Sequence, residues 1–169
     1  PIIGGGKLNG QAGRNDIGAL YVRTAEQDGT AGESFLVGRW RRRVLRQSYF
    51  GAFYTGRTVH DAGAPPTQST FGADFRLATA TFFGNKNLAV SGYWVGMSAA
   101  PNQPRDGGLG DRDALSAKAE YLNDIWEVSA EYQDVGALYS PAVGFTPRRE
   151  YRLYNPELTW SPRPTTRHR

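Results

Sequence analysis

The chain has 169 residues, a formal net charge of +4, 39% hydrophobic residues and a mean hydropathy of −0.54. It has no cysteine and only two histidines, which excludes disulfides and thiolate chemistry and is too few for a histidine-rich metal centre. No run approaches the roughly 18 apolar residues of a membrane-spanning helix, yet a spanning strand needs only about 9–11 residues with every second one apolar, so a β-barrel stays open.

The chain opens Pro1-Ile2-Ile3-Gly4-Gly5-Gly6-Lys7, without an initiator Met, basic leader or cleavage site, and closes on Pro162-Arg163-Pro164-Thr165-Thr166-Arg167-His168-Arg169. Both ends read as cuts through a longer protein. The Gly4-Gly5-Gly6-Lys7 run fails as a phosphate loop, because Pro1 stands where that loop needs glycine.

Alternation of period two predicts strands throughout. Ile3–Gln11 turns at Gly13-Arg14-Asn15 into Asp16–Thr24; Ser34–Arg43 passes through Val44–Gln47 into Ser48–Arg57. Phe71, Ala73, Phe75, Leu77 and Phe83 then share one parity against Asp74 and Arg76, and Gly84–Asn87 turns into Leu88, Val90, Gly92 and Trp94. Leu115, Ala117, Ala119 and Tyr121 alternate with Ser116, Lys118 and Glu120. After Asn123-Asp124, Trp126, Val128, Ala130 and Tyr132 alternate with Glu127, Ser129, Glu131 and Gln133. A ninth strand is expected over Arg149–Trp160.

The connections alternate in length. Those four turns are short, whereas Glu26–Gly32, Thr58–Thr70, Ala99–Arg112 and Asp134–Pro147 are long and polar. Transmembrane barrels show this rhythm, while Greek-key sandwiches give irregular loops. The polar parity carries Arg39, Arg41, Arg43, Asp74, Arg76, Lys118, Glu120, Glu127 and Glu131. A small soluble barrel cannot bury such charges dry, but a water-filled lumen can line itself with them. Aromatics near the short turns (Trp40, Phe83, Tyr121, Trp126) and near the long loops (Tyr54, Phe71, Tyr132) fit two interfacial girdles.

Arg39-Trp40-Arg41-Arg42-Arg43 lacks the interleaved stacking aromatics of a nucleic-acid surface, so no nucleic-acid partner is expected. On a strand it places three arginines toward the lumen and leaves Arg42 to snorkel to headgroups. Glu127 and Glu131 lie about 13 Å apart by strand rise, too far for a glycosidase pair, and are expected to face Lys118, Arg76 or the arginine strand. Asp106, Asp111 and Asp113 leave a loop calcium site open, but the run is not a calcium-binding repeat. His60 and Asp61 are expected in a loop beside Ala64-Pro65-Pro66, with no nucleophile near them, so no catalytic constellation or cofactor site is predicted.

Several runs carry a family resemblance: Pro1–Gly10, Ile17–Val22, Val44–Ser48, Phe50–Thr55, Asp124–Val128, Tyr132–Gly136 and Val143–Arg148. Together they resemble an uncharacterised family of Gram-negative outer-membrane β-barrels usually found behind a domain similar to family-nine carbohydrate-binding modules. The resemblance implies an outer-membrane location, contact with outer-membrane lipid and an upstream carbohydrate-binding-like domain. Its motifs mark strands and loops and name no chemistry.

The expectation is therefore an all-β, antiparallel up-and-down meander of about nine strands. Residues 1–169 would be a fragment of one outer-membrane barrel domain with a charged lumen, serving as pore, uptake component or anchor rather than enzyme. An odd strand count leaves such a barrel incomplete. The alternative is a soluble β-sandwich or barrel that binds carbohydrate through exposed aromatics clustered on one concave face. A third reading, an outer-membrane hydrolase, would need a nucleophile–base pair near one rim.

Overall fold

The computed structural model describes residues 1–61, 63, 67–98, 110–144 and 146–163. They form one sheet of nine antiparallel strands in sequence order. These are β1 (Ile2–Ala12), β2 (Asn15–Thr24), β3 (Gly32–Arg43), β4 (Tyr49–His60), β5 (Gln68–Phe82), β6 (Lys86–Met97), β7 (Asp113–Leu122), β8 (Trp126–Val135) and β9 (Tyr151–Trp160). Among the described residues no ladder joins β1 to β9, so the sheet is open and these strands are its edges.

Because each strand is antiparallel to the next, all four short turns lie at one end and the long connections at the other. The tightest turn is Gly13-Arg14, closed by the Ala12–Asn15 pair. Gly13 sits at φ 60° in its first central position, the conformation a two-residue hairpin of type II′ reserves for glycine.

Residues opposite one another in a ladder share a face. One row runs Arg43, Tyr49, Arg76, Ser91, Lys118, Glu131 and Asn155 from β3 to β9. The adjacent rows on the other face include Phe50, Phe75, Gly92, Ala117, Tyr132 and Tyr154. The sheet thus has a charged face and an apolar face, with no second layer of structure packed on either among the described residues.

Burial is inverted relative to a soluble sheet. The most sheltered apolar row, Val95, Ala114 and Val135, lies on the charged face, as do the buried Thr55, Thr70 and Ser116. On the apolar face Leu36, Val90 and Val128 remain 46%, 38% and 40% exposed even though they sit inside the sheet. Side chains two strands apart also meet on the charged face: Arg39 reaches Asp74, Arg76 reaches Glu120, and Gln133 reaches Tyr93. Neighbouring strands are about 4.8 Å apart, so such contacts and the lower exposure fit a sheet curling toward its charges.

Two sequence expectations are corrected here. Phe83 does not continue the parity of Phe71–Leu77: the register slips between Thr79 and Phe82, and Phe83 falls in the turn at φ 45°, 86% exposed. His60 is not a loop residue. The β-branched Thr58-Val59 pair carries β4 on to His60, which pairs with Gly32 because β3 also starts two residues earlier than expected.

The β9 edge is partly blunted. Ser161 N–H donates to the Ile125 carbonyl at 2.9 Å, and antiparallel ladders alternate bonded and non-bonded pairs. Pro156, opposite Ala130, therefore falls in a non-bonded pair, and the donor it lacks is one that would have faced the open edge.

Glycines let large side chains cross the sheet. A Cβ on Gly72 would stand 2.6 Å from the Phe53 ring and 2.6 Å from the Trp94 carbonyl oxygen, whereas one on Gly38 would meet nothing within 4 Å. Gly72→Val is expected to destabilise the fold by about 1–3 kcal/mol through overpacking. Gly38→Val should stay within about 0.5 kcal/mol. Urea unfolding in detergent micelles reads both.

Candidate functional site

The charged face is the candidate site, built from side chains that successive strands present at every second position. All nine residues expected to line a lumen fall on it: Arg39, Arg41 and Arg43 on β3, Asp74 and Arg76 on β5, Lys118 and Glu120 on β7, Glu127 and Glu131 on β8.

Most of these charges are paired. Arg39 forks onto Asp74 through Nη1–Oδ1 at 2.5 Å and Nη2–Oδ2 at 2.8 Å, passing over β4. It can do so because β4 has Gly51 there: a Cβ would lie 2.6 Å from Arg39 Nη2 and 2.7 Å from Asp74 Oδ1. Arg41 donates from Nε and Nη2 to Asp16 Oδ2 at 3.1 and 3.0 Å, and its guanidinium lies 5.3 Å from the centre of the Tyr49 ring. Arg43 reaches the other oxygen of Asp16 at 3.4 Å. Glu120 takes Lys118 at 2.8 Å and Arg76 at 3.5 Å.

Sequence reasoning missed three counter-ions. Asp16 shares the parity of the β2 residues facing the arginine strand, and Arg57 pairs with Glu33 between β4 and β3. The expected facing of a β8 glutamate and Lys118 is present in the ladder. Glu131 stands opposite Lys118, but Lys118 turns to Glu120 on its own strand, which leaves Glu127 and Glu131 without an ion pair among the described residues.

Toward the long connections the same face keeps the Arg57–Glu33 pair on β3 and β4 but is uncharged on β6 to β9. Gln133 donates to Tyr93 Oη at 2.7 Å and accepts from Tyr151 Oη at 2.9 Å. The segment after β8 folds over this region: Ser140 N–H donates to Met97 Sδ at 3.0 Å, and its carbonyl accepts from Gln68 Nε2 at 3.1 Å. Gly136 makes the fold-back fit, since a Cβ there would stand 2.3 Å from the Gly110 and Asp111 carbonyl oxygens. Burial pushes the Tyr139 phenol above its ordinary pKa, and neighbouring Tyr93 acts in the same direction.

On the opposite face the aromatics separate by depth. By position along their strands, Trp40, Phe50, Tyr121, Trp126 and Trp160 lie toward the short turns, Tyr21, Phe71, Trp94, Tyr132 and Tyr154 toward the long connections, and Tyr54 and Phe75 mid-strand, Phe75 beside Phe50 at 6.3 Å. Other partners stay within a group: Trp126 stacks on Trp160 at 6.0 Å, while Phe71 meets Trp94 at 5.6 Å and Tyr132 meets Tyr154 at 5.0 Å. Several polar tips find neighbours, as Tyr54 Oη does with Ser69 Oγ at 2.8 Å and Trp94 Nε1 with Asp113 Oδ2 at 2.9 Å. Arg42 lies on this face opposite Phe50.

At the same long-loop rim Ser34 Oγ lies 2.7 Å from His60 Nε2 and 3.0 Å from Tyr21 Oη. No nucleophile was expected near His60; the pairing of β3 with β4 supplies one from 26 residues away. Ser34 is buried, and among the described residues nothing is hydrogen-bonded to His60 Nδ1 to orient the ring as a base. The trio is therefore described as a polar cluster within the aromatic rim. No group of three metal-ligating side chains occurs among the described residues, and Asp106 of the expected calcium loop lies outside them.

The Arg39–Asp74 pair is half-exposed on its arginine side, so its coupling is modest. A double-mutant cycle of Arg39→Ala and Asp74→Ala is expected to return about 1 kcal/mol. In a Gly51→Val background that coupling should vanish, because the valine occupies the path of the guanidinium.

No protein-family model, curated protein or solved structure matches this chain, so the family resemblance rests on the sequence motifs alone.

Proposed function

We propose that this sheet is a segment of an outer-membrane β-barrel, with its charged face lining a water-filled lumen and its apolar face against lipid. Its role is that of a pore or uptake component, or of an anchor for a further domain. One observation carries the reading: the face on which side chains meet across strands holds most of the ion pairs, and the other face presents large exposed apolar side chains. A ligand-binding barrel in water needs the reverse. Patches of more than a few hundred Å² of exposed apolar surface are rare on soluble monomers, and this face spans nine strands.

Two further features support it. Strands of 10 to 15 residues are long enough to span, since about 9–11 tilted residues suffice. Most aromatic rings of this face lie toward one strand end or the other, with Phe75 and Tyr54 mid-strand among Ala, Val, Leu and Gly, and rings near both ends suit both headgroup layers.

The carbohydrate-binding alternative expects aromatics gathered on one concave face. Trp126 and Trp160 stand at the short-turn ends of β8 and β9 and Trp94 near the long-connection end of β6, so the tryptophans do not gather in one patch, which favours the membrane reading.

Face asymmetry provides the test. Ala117 lies mid-strand on the apolar face and Ser91 mid-strand on the charged face. In lipid vesicles Ala117→Arg should cost about 2–4 kcal/mol of folding stability, with Ser91→Arg nearly neutral. Equal tolerance at both positions would sink the proposal, and so would a full-length protein that stays monomeric in water without detergent.

A further inference from the structure

The charged face is divided. Strands β1–β4 present Lys7, Arg39, Arg41, Arg43 and Arg57 against only Asp16 and Glu33. Strands β7–β9 present Glu120, Glu127, Glu131 and Glu157 against only Lys118. Between them β5 carries one charge of each sign and hands each to the opposite flank, Asp74 to Arg39 and Arg76 to Glu120. This central stitch neutralises the middle of the sheet and leaves the flanks unlike.

The surplus charges also share a depth. Arg41 and Arg43 lie near the short-turn end of β3, where one carboxylate, Asp16, serves both. Glu127 and Glu157 lie near the short-turn ends of β8 and β9, and Glu131 lies about 13 Å along β8 from Glu127, in the ladder row that runs to Arg43. None of these three glutamates has an ion pair among the described residues; Glu157 accepts only from Ser129 and Asn155, at 3.5 and 3.4 Å.

We propose that this half of the charged face forms a transverse field with a basic and an acidic wall, selecting solutes that carry separated positive and negative charges. Small zwitterions of amino-acid type are the class that fits. A simple anion or cation gains at one wall what it loses at the other, so ion selectivity is weak. A zwitterion oriented across the lumen gains at both. The screening length is about 8 Å at physiological ionic strength and about 3 Å at 1 M, so the preference belongs to low salt. The inference rests on the lumen reading of this face.

The test is solute entry into neutral phosphatidylcholine vesicles carrying the full-length protein, followed by osmotic swelling. γ-Aminobutyrate is the zwitterion, erythritol the uncharged control of similar size, and tetramethylammonium methanesulfonate the simple salt. At low ionic strength γ-aminobutyrate should enter about threefold faster than either, and the advantage should fade in 1 M salt. The combined variant Glu127→Gln, Glu131→Gln and Glu157→Gln keeps side-chain size and should abolish the advantage. Its reversal potential in a KCl gradient should shift toward anions, and Arg41→Gln with Arg43→Gln should shift it toward cations. Entry of all solutes without zwitterion preference overturns the transverse field and leaves the pore standing. Entry of none of them overturns both.

Discussion

The structure depends on how its charges are satisfied without a second layer. Arg39 and Asp74 meet across a strand that yields its side chain at Gly51, and Arg76 reaches over β6 to Glu120, which also takes Lys118 from its own strand. Each of the two cross-strand contacts ties three consecutive strands on one face. In a soluble sheet that tie comes from burying an apolar face against helices or another sheet. Here ladder hydrogen bonds and cross-strand ion pairs replace it, and partial exposure keeps each pair's contribution small. The backbone ladders carry the fold, and the ion pairs fix which way it curls.

Alternation puts most of the large exposed apolar side chains on the other face, where the charges Arg23, Arg42, Asp113 and the Asp134–Arg152 pair sit near strand ends. The resulting surface is graded by depth, with most rings toward the strand ends and mainly small or aliphatic side chains between. Gly92 and Gly96 sit under Phe75 and Trp94, whose rings lie flat over positions where a Cβ would approach within about 3 Å. Rings lying along a sheet produce a smooth face, which suits acyl chains better than the interlocking of a protein core. Hydroxyls and indole N–H groups near the ends keep polar neighbours, as a headgroup layer requires.

Much of this was legible in the sequence because a period of two leaves little choice: once Trp126 and Glu127 oppose each other, every later residue of β8 is assigned. That Arg39, Arg41, Arg43, Asp74, Arg76, Lys118, Glu120, Glu127 and Glu131 share one face followed from parity alone. What parity cannot supply is anything that breaks or outruns it. The slip between Thr79 and Phe82 put Phe83 in a turn, and no composition signal marks a bulge without glycine. His60 was read as loop because it precedes a Pro-rich stretch, yet ladder partners on β3 extend the strand to it. The fold-back of Ser140 onto Met97 depends on a backbone approach at Gly136 that only coordinates reveal. Ion-pair choice was equally hidden, since Lys118 had carboxylates both beside it on its strand and across the ladder.

The two open edges set the last constraint. β1 and β9 run in the same direction, so joining them directly would need a parallel ladder in an otherwise antiparallel sheet. On the membrane reading proposed above, both edges would need partners, because in hydrocarbon every unpaired edge N–H and C=O costs several kcal/mol. A uniform antiparallel closure therefore takes an odd number of further strands between them. β9 meets its partner with one donor already removed at Pro156, which lowers the cost of an imperfect ladder at that point. β1 has no proline, and beyond the register shift between Ile2 and Gly4 its glycines at 4, 5, 6 and 10 leave a wholly exposed edge open to close approach. Closure would thus be specified from the β1 side, where glycine admits a neighbour, and tolerated from the β9 side, where proline has already removed a bond.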